Sequence, residues 1–336
     1  MKKTYRKLNE FDLIETYFSP LSKTLEGAFG LCDDAAVLTV PPGESLVVTL
    51  DTLVEGVHFL KGSDPGPLAH KLLRVNLSDL AAMGAKPASY VLSLALPGDV
   101  EPLWIARFAS ALGQDQETYG IYLAGGDTVV TPGPMTLTVA AHGTVVKGRE
   151  LRRSGARPGD TVYVSGTLGD AAFGLKCLQG KIPGLTGEQR KFLTGRYLKP
   201  RPRVDLGLRL FGLASAATDI SDGLVADLGH MCSASGVEAV VEWGRVPLSD
   251  AVGAILAGSP QEIPTVVAGG DDYELLFTVP AYKTENIPSL AKDLGISLTP
   301  LGEIIEGASR GKVRVVDGDG GEIPLPSGGY VHFGDS

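Results

Sequence analysis

Thr218-Asp219-Ile220-Ser221-Asp222-Gly223-Leu224 places two carboxylates three positions apart among apolar neighbours, with a hydroxyl between them and a glycine after the second. Surface loops carry their acids in polar company, and core segments exclude them. The oddity recurs at Gly30-Leu31-Cys32-Asp33-Asp34-Ala35-Ala36-Val37, Thr49-Leu50-Asp51-Thr52 and Asn76-Leu77-Ser78-Asp79-Leu80. It returns at Gly125-Gly126-Asp127-Thr128 and Gly269-Gly270-Asp271-Asp272-Tyr273-Glu274. Taken singly, each reads as a cap or a turn: Asp222 precedes a predicted helix, and Asp127 before Thr128 fits an Asx turn. Taken together, the economical reading is one cavity holding several hard divalent ions around a polyphosphate, because buried carboxylates repel unless cations lie between them.

Outward from that stretch, Gly223–Ser235 is predicted helical and Val237–Val241 a strand. The rest of the carboxyl-terminal half alternates in the same way. Strands are expected at Thr161–Ser165 and Leu275–Val279, and helices at Gly169–Gln179, near 187–198, near 203–214, at Ser249–Ala257 and at Lys283–Leu294. A hairpin around Asp317–Gly321 closes it. The amino-terminal half reads as a short helix over 9–18 capped by Asn9, strands Ala35–Val40 and Leu46–Leu53, and a helix Pro67–Met83. Strand Ala88–Leu96, helix Pro102–Tyr119 and strand Met135–Val146 complete it, with Gly125–Thr128 in the loop before the last strand. On helix 67–83, Asn76 and Asp79 share a face. Arg149, Arg152, Arg153 and Arg157 cluster before the turn Pro158-Gly159-Asp160. The domain boundary is placed there, giving domains 1–148 and 149–336. Interleaved strands and helices in both halves make the chain α/β or α+β.

Composition sets the class. At 336 residues, 43% hydrophobic and 21% charged, this is a globular chain with ample core. No apolar run reaches membrane-spanning length, and the basic start Met1–Lys7 leads into polar residues, not a signal peptide. Cys32, Cys177 and Cys232 lack CxxC pairing, which argues against disulfide or zinc frameworks and fits a reducing cytoplasm. Cys32 reads as a small buried hydrophobe. A net charge of −9 disfavours nucleic acid, whereas nucleotides remain admissible because bound magnesium reverses the local sign. Gly174–Lys181 has the wrong glycine spacing for a P-loop, and no kinase or dinucleotide fingerprint is present.

With these motifs in view, the chain resembles the thiamine-monophosphate kinase family of the aminoimidazole-ribonucleotide-synthetase-like (PurM-like) ATP-binding superfamily. The similarity runs through Gly30–Ala36, Asp51–Phe59, Asn76–Ala85, Gly125–Thr128, Arg153–Asp160, Asp219–Leu224, Gly270–Leu275 and the ending Gly329-Tyr330-Val331-His332-Phe333. The resemblance implies ATP-dependent phosphorylation of thiamine monophosphate to thiamine diphosphate. It implies magnesium ligands at Asp34, Thr49, Leu50, Asp51, Asp79, Asp127, Asp219 and Asp222, of which Asp51, Asp79, Asp127 and Asp219 carry the catalysis. Nucleotide contacts are implied at Gly126, Asp127, Arg153 and Ser221, and acceptor contacts at His58, Asp271 and Tyr330. It also implies an amino-terminal α/β domain that forms a β-barrel with a second copy, hence a homodimer, and an active site between the two halves of each chain. The family often has a hydroxyl before the Asp51 position, where Leu50 can offer only its carbonyl. Its Gly-Gly-Glu-Asp sequence here has Asp271 in place of the glutamate, and Cys32 stands where glycine is frequent. Alternatives are another ATP-dependent synthetase of the superfamily, of the selenophosphate or purine type, or a non-catalytic sensor of Mg·ATP and a thiamine phosphate. Turnover separates the sensor from the enzymes.

Overall fold

The computed structural model describes residues 10–325. They divide into two units: one comprises the chain to Leu80 together with Lys86–Lys147, the other Ala81–Ala85 together with the chain from Gly148.

The first unit opens with α1 (Glu10–Leu13), a π-turn over Ile14–Phe18 and α2 (Ser19–Ser22). The expected 9–18 helix is thus longer and widened in its middle, and its proposed cap Asn9 lies outside the described residues. Next come β1 (Glu44–Val54), α3 (Pro65–Ala82), β2 (Lys86–Pro97), α4 (Pro102–Tyr119), β3 (Tyr122–Thr131) and β4 (Thr136–Val146). Pro102 starts α4 and Gly120, at φ 65°, ends it in the left-handed conformation that glycine adopts without cost. The sheet order is β1-β4-β2-β3, antiparallel except for the β2–β3 pair that α4 connects. Leu72, Leu73, Leu77 and Leu80 of α3 and Phe108 and Leu112 of α4 are fully buried.

Two expectations fail here. Ala35–Val40 belongs to no strand. Gly125–Thr128 is no loop, for it lies inside β3. The glycines misled the reading, yet Gly126 is what the strand needs: a Cβ there would lie 2.1 Å from the Leu92 carbonyl oxygen.

The second unit carries β5 (Thr161–Ser165), α5 (Asp170–Leu178), α6 (Gly187–Leu198), α7 (Val204–Leu210), β6 (Ala216–Asp219), α8 (Leu224–Ser235) and β7 (Glu238–Glu242). It continues through α9 (Asp250–Gly258), α10 (Ile263–Ala268), β8 (Leu275–Val279), α11 (Ile287–Leu294), β9 (Leu298–Ile305) and β10 (Val313–Val316). Six strands run in the order β10-β7-β9-β5-β8-β6, with only the β10–β7 pair parallel. Val162, Val164, Leu228, Met231, Val241 and Leu276 are among the residues of one continuous core. A capping box between Thr186 and Gln189 starts α6, and Ser249 caps α9. The mixed sheets with helices make the protein α/β, as expected. No described helix is long and apolar enough to cross a membrane.

Candidate active site

The period-2 geometry of β1 decides what it presents. Thr49 and Asp51 are half-buried on one face, while Leu46, Val48 and Leu50 point out of the other. Leu50 therefore offers the acidic side of the strand nothing but backbone. Asp79 reaches that side from α3, and its Oδ2 accepts a hydrogen bond from the Thr49 hydroxyl at 2.5 Å. Asp51 lies close enough to Asp79 to share a hydrogen bond with it. Burial first, then the Asp79 charge and that shared bond, push the Asp51 carboxyl up to about 7. Two facing carboxylates with a hydroxyl beside them form a hard-oxygen donor set that a divalent cation would relieve of its repulsion.

Asp34, Gly126 and Asp127 lie elsewhere in the same unit. With Asp33, Gly125 and Thr128 they line a cavity of about 130 Å³ that apolar residues such as Phe18, Leu92 and Leu94 also line. Strand register relates this group to the first: Asp51, Val139, Leu92 and Gly126 form one cross-strand row. Asp127 stands in the next row with Ser93, Thr138 and Thr52. Three strand spacings separate β1 from β3, about 14 Å. The backbones of Asp51 and Asp127 thus stand on opposite edges of the sheet.

Before Asp33, three consecutive residues have positive φ: Phe29 at 50°, Gly30 at 64° and Leu31 at 63°. Cys32 itself has φ −102°. A glycine is therefore not required at position 32, whereas the non-glycine residues Phe29 and Leu31 upstream adopt the left-handed region that side chains rarely take. Cys32 is exposed, not buried as expected. His58 sits in the turn after β1, where its Nδ1 accepts the Val54 N–H at 3.0 Å and thus, in the neutral ring, leaves the proton on Nε2. Asn76 is fully buried and donates back to the Leu72 carbonyl of its own helix.

In the second unit the opening stretch is a strand end, a turn and a helix start. Asp219 closes β6 and is buried. Ser221 and Asp222 are half-buried in the turn, and Gly223, at φ 119° and packed against the Ala268 carbonyl, admits no side chain. Arg153 Nε donates to Thr218 Oγ1 at 3.1 Å, which brings its guanidinium to the same strand. Of its neighbours in sequence, Arg149 stacks on Phe211 and Arg152 pairs with Glu150.

Asp271 and Asp272 part company. Asp271, at φ 70°, is half-buried and donates its N–H to the Ser221 carbonyl at 2.9 Å. Asp272 is buried and caps the start of α5, accepting the N–H groups of Gly169 at 2.7 Å and Ala171 at 3.2 Å. Burial foremost pushes its carboxyl up to about 7. Glu274 is buried against Arg196 and Arg203. Tyr330 lies outside the described residues.

One acid was missed. Asp227, in the first turn of α8, is fully buried and its Oδ2 accepts the N–H groups of Ser221, Asp222 and Gly223. Burial and then the charge of Asp222 push its carboxyl up to about 7. One ligating atom from each of Asp222, Asp227 and His230 lies within 4.8 Å of the others. In sequence Asp227 looked like an ordinary acid at a helix start.

Residues 32–145 match the family of the AIR synthase related protein, N-terminal domain, and residues 157–314 that of the C-terminal domain. The thiamine-monophosphate kinase of Escherichia coli (strain K12) is 42% identical over 328 residues, covering 96% of this chain and 98% of that protein. That of Bacillus subtilis (strain 168) is 32% identical over 330 residues, covering 97% and 100%. Among solved structures, thiamine-monophosphate kinase from Stenotrophomonas maltophilia K279a superposes with TM-score 0.81 at 41% identity, covering 91% of this chain and 97% of that one. AaThiL complexed with AMPPCP and TMP gives TM-score 0.76 at 33% identity, covering 98% and 100%.

Proposed function

The chain belongs to the thiamine-monophosphate kinases, and from that premise we infer how its own residues carry the γ-phosphoryl group of ATP to thiamine monophosphate, yielding thiamine diphosphate and ADP. ATP is the co-substrate, in keeping with a structural relative that holds AMPPCP together with TMP.

The acceptor is itself a phosphate and ionised near neutrality, so no general base has to create a nucleophile. The barrier lies in bringing two anionic groups into line. The pair Asp51–Asp79 with Thr49 supports the reading best: it is a donor set of hard oxygens whose mutual repulsion a cation removes. Several Mg²⁺ ions, when bound, supply the charge neutralisation that lets phosphate oxygens approach one another. Asp51, Asp79, Thr49 and the Leu50 carbonyl would hold one such ion, and Asp34, Asp127, Asp219 and Asp222 would supply the carboxylates for the others. Gly126, Asp127, Arg153 and Ser221 contact the nucleotide, with the Arg153 guanidinium directed to phosphate. His58, Asp271 and Tyr330 orient the acceptor, His58 presenting Nε2–H. Transfer is direct and in line, without a phosphoenzyme, so a chiral γ-phosphorus inverts.

The protein acts as a homodimer in the cytoplasm, where its three free thiols stay reduced. Leu46, Val48 and Leu50 on β1, Val146 on β4 and Val129 on β3 expose large apolar side chains on the first sheet, which suits pairing with a second copy.

The test is turnover with ATP, Mg²⁺ and thiamine monophosphate, comparing wild type with Asp51→Asn and Asp79→Asn. Thiamine diphosphate and ADP form in equal amounts with wild type and drop steeply with either variant. Undiminished turnover by both variants at limiting Mg²⁺ sinks the ligand assignment.

A further inference from the structure

The turn Ser221-Asp222-Gly223, to which the proposed function gives nucleotide and metal roles, is gripped from inside by a residue with no such role. Asp227 Oδ2 receives three successive backbone N–H groups, from Ser221 at 3.0 Å, Asp222 at 3.0 Å and Gly223 at 3.1 Å. Successive amides aimed at one point make the concave cradle in which many turns bind an anion. Here the chain fills the cradle with its own carboxylate, so no phosphate oxygen can take those amides. What the turn offers a nucleotide is therefore side chains.

The other side of the turn is fixed as well. The Ser221 carbonyl accepts the Asp271 N–H at 2.9 Å and the Ile220 carbonyl the Tyr273 N–H at 2.8 Å. A Cβ on Gly270 would lie 2.1 Å from the Ser221 carbonyl oxygen. Asp227 Oδ1 is buried and has no hydrogen-bond partner among the described residues. Burial of a carboxylate with one bare oxygen is costly, and the three amides on the other oxygen are what offset it.

We propose that Asp227 is a positioning residue for phosphoryl transfer: by anchoring three consecutive amides it presets the turn so that the Asp222 carboxylate and Ser221 hydroxyl already point to where cation and nucleotide bind. This rests on the reading of Asp222 as a magnesium ligand. Asp227 acts through Asp222 and Ser221, and it is the hydrogen-bond acceptor at its position that matters.

Steady-state kinetics of the full chain, with Mg²⁺, ATP and thiamine monophosphate varied separately well below each variant's Tm, tests it. Asp227→Ala should raise the half-saturating Mg²⁺ concentration about tenfold, the usual size of an outer-sphere effect, while the KM for thiamine monophosphate moves by less than about twofold. Asp227→Asn, whose amide oxygen still accepts the three N–H groups, should rescue most of that loss. Asp227→Glu keeps the charge but drives the oxygen off the amides, so it should behave as Ala does, and it carries the test if the Ala variant does not fold. The proposal is overturned if the Ala or Glu variant folds with wild-type Mg²⁺ dependence. It is equally overturned if Asn is as impaired as Ala, or if kcat and every KM worsen together as in a general loss of structure. Asp222→Asn, run in parallel, separates the two ideas. An unshifted Mg²⁺ curve for Asp222→Asn ends the ligand reading itself, whereas a shifted one with normal Asp227 variants ends only the positioning role.

Discussion

Asp51 cannot ionise cheaply beside Asp79, and that makes the pair a liability to the fold and an asset to a cation-dependent reaction. Asp79→Asn should cut kcat/KM about 10³-fold, the several kcal/mol that ion-mediated charge neutralisation contributes. In EDTA its Tm should equal or exceed that of wild type, since repulsion is lost and an amide oxygen still accepts the Thr49 hydroxyl. Added Mg²⁺ should stabilise wild type more than the variant, because only a folded state that binds the ion gains from it. Differential scanning fluorimetry with and without the ion reads both. Asp272 gives a different prediction. Its carboxyl titrates near 7 when folded against 3.8 when unfolded, so between those values the folded state holds the extra proton and stability falls as pH rises. Asp272→Asn should remove up to about 1.4 kcal/mol of slope per pH unit from unfolding free energies measured between pH 5 and 7. The acids at 51, 79, 219 and 222 were legible because carboxylates among leucine, isoleucine and threonine contradict ordinary burial. Asp227 was not legible, since an acid in the first turn of a helix contradicts nothing. Nor could sequence tell Asp271 from Asp272: which of two adjacent aspartates turns inward to cap α5 depends on φ of +70° at the first, a tertiary outcome.

At the level of strands and helices, packing overrode local preference in a consistent direction. Helices α3, α4, α6 and α8 were readable from apolar spacing and end signals. Strands β3 and β9, which carry glycine or proline in their middles, were not. Gly126 in β3 and Gly302 in β9 would place a Cβ 2.1 Å from the Leu92 carbonyl and 1.9 Å from that of Val240, so both are sites of backbone approach that sequence reads as breaks. Pro300 in β9 sits at a register shift opposite Tyr163, the kind of irregularity that tolerates a missing N–H. Conversely, the alternation in Ala35–Val40 found no partner strand. The Gly126→Ala variant should therefore lose roughly 1–3 kcal/mol of stability in chemical denaturation, by forcing β2 and β3 apart. Its activity loss should track unfolding, and an Ala variant of wild-type stability would contradict the packing account.

Across the whole molecule, both family domains are present and the two units each carry an acidic set, which the repeated sequence pattern already suggested. The exposed apolar side chains of β1, β4 and β3 are the feature that composition concealed, since Leu46, Val48 and Leu50 look like half of an ordinary amphipathic strand. Val48 is 59% exposed and points away from Asp51, so Val48→Glu should leave the acidic side of the strand intact while disfavouring self-association. Sedimentation equilibrium at micromolar concentration should show wild type at twice the chain mass of 35.1 kDa and the variant largely at that mass. A wild-type chain that sediments as a monomer would remove the homodimer reading.

β1 is an edge strand of its sheet with carboxylates on one surface and aliphatics on the other. On the proposed homodimer, the copy that covers its outer surface also steadies its inner one, so specific activity is expected to depend on protein concentration. Diluted stocks should lose specific activity with standing time, and an unshielded rim of that kind invites stacking of neighbouring copies into insoluble ribbons.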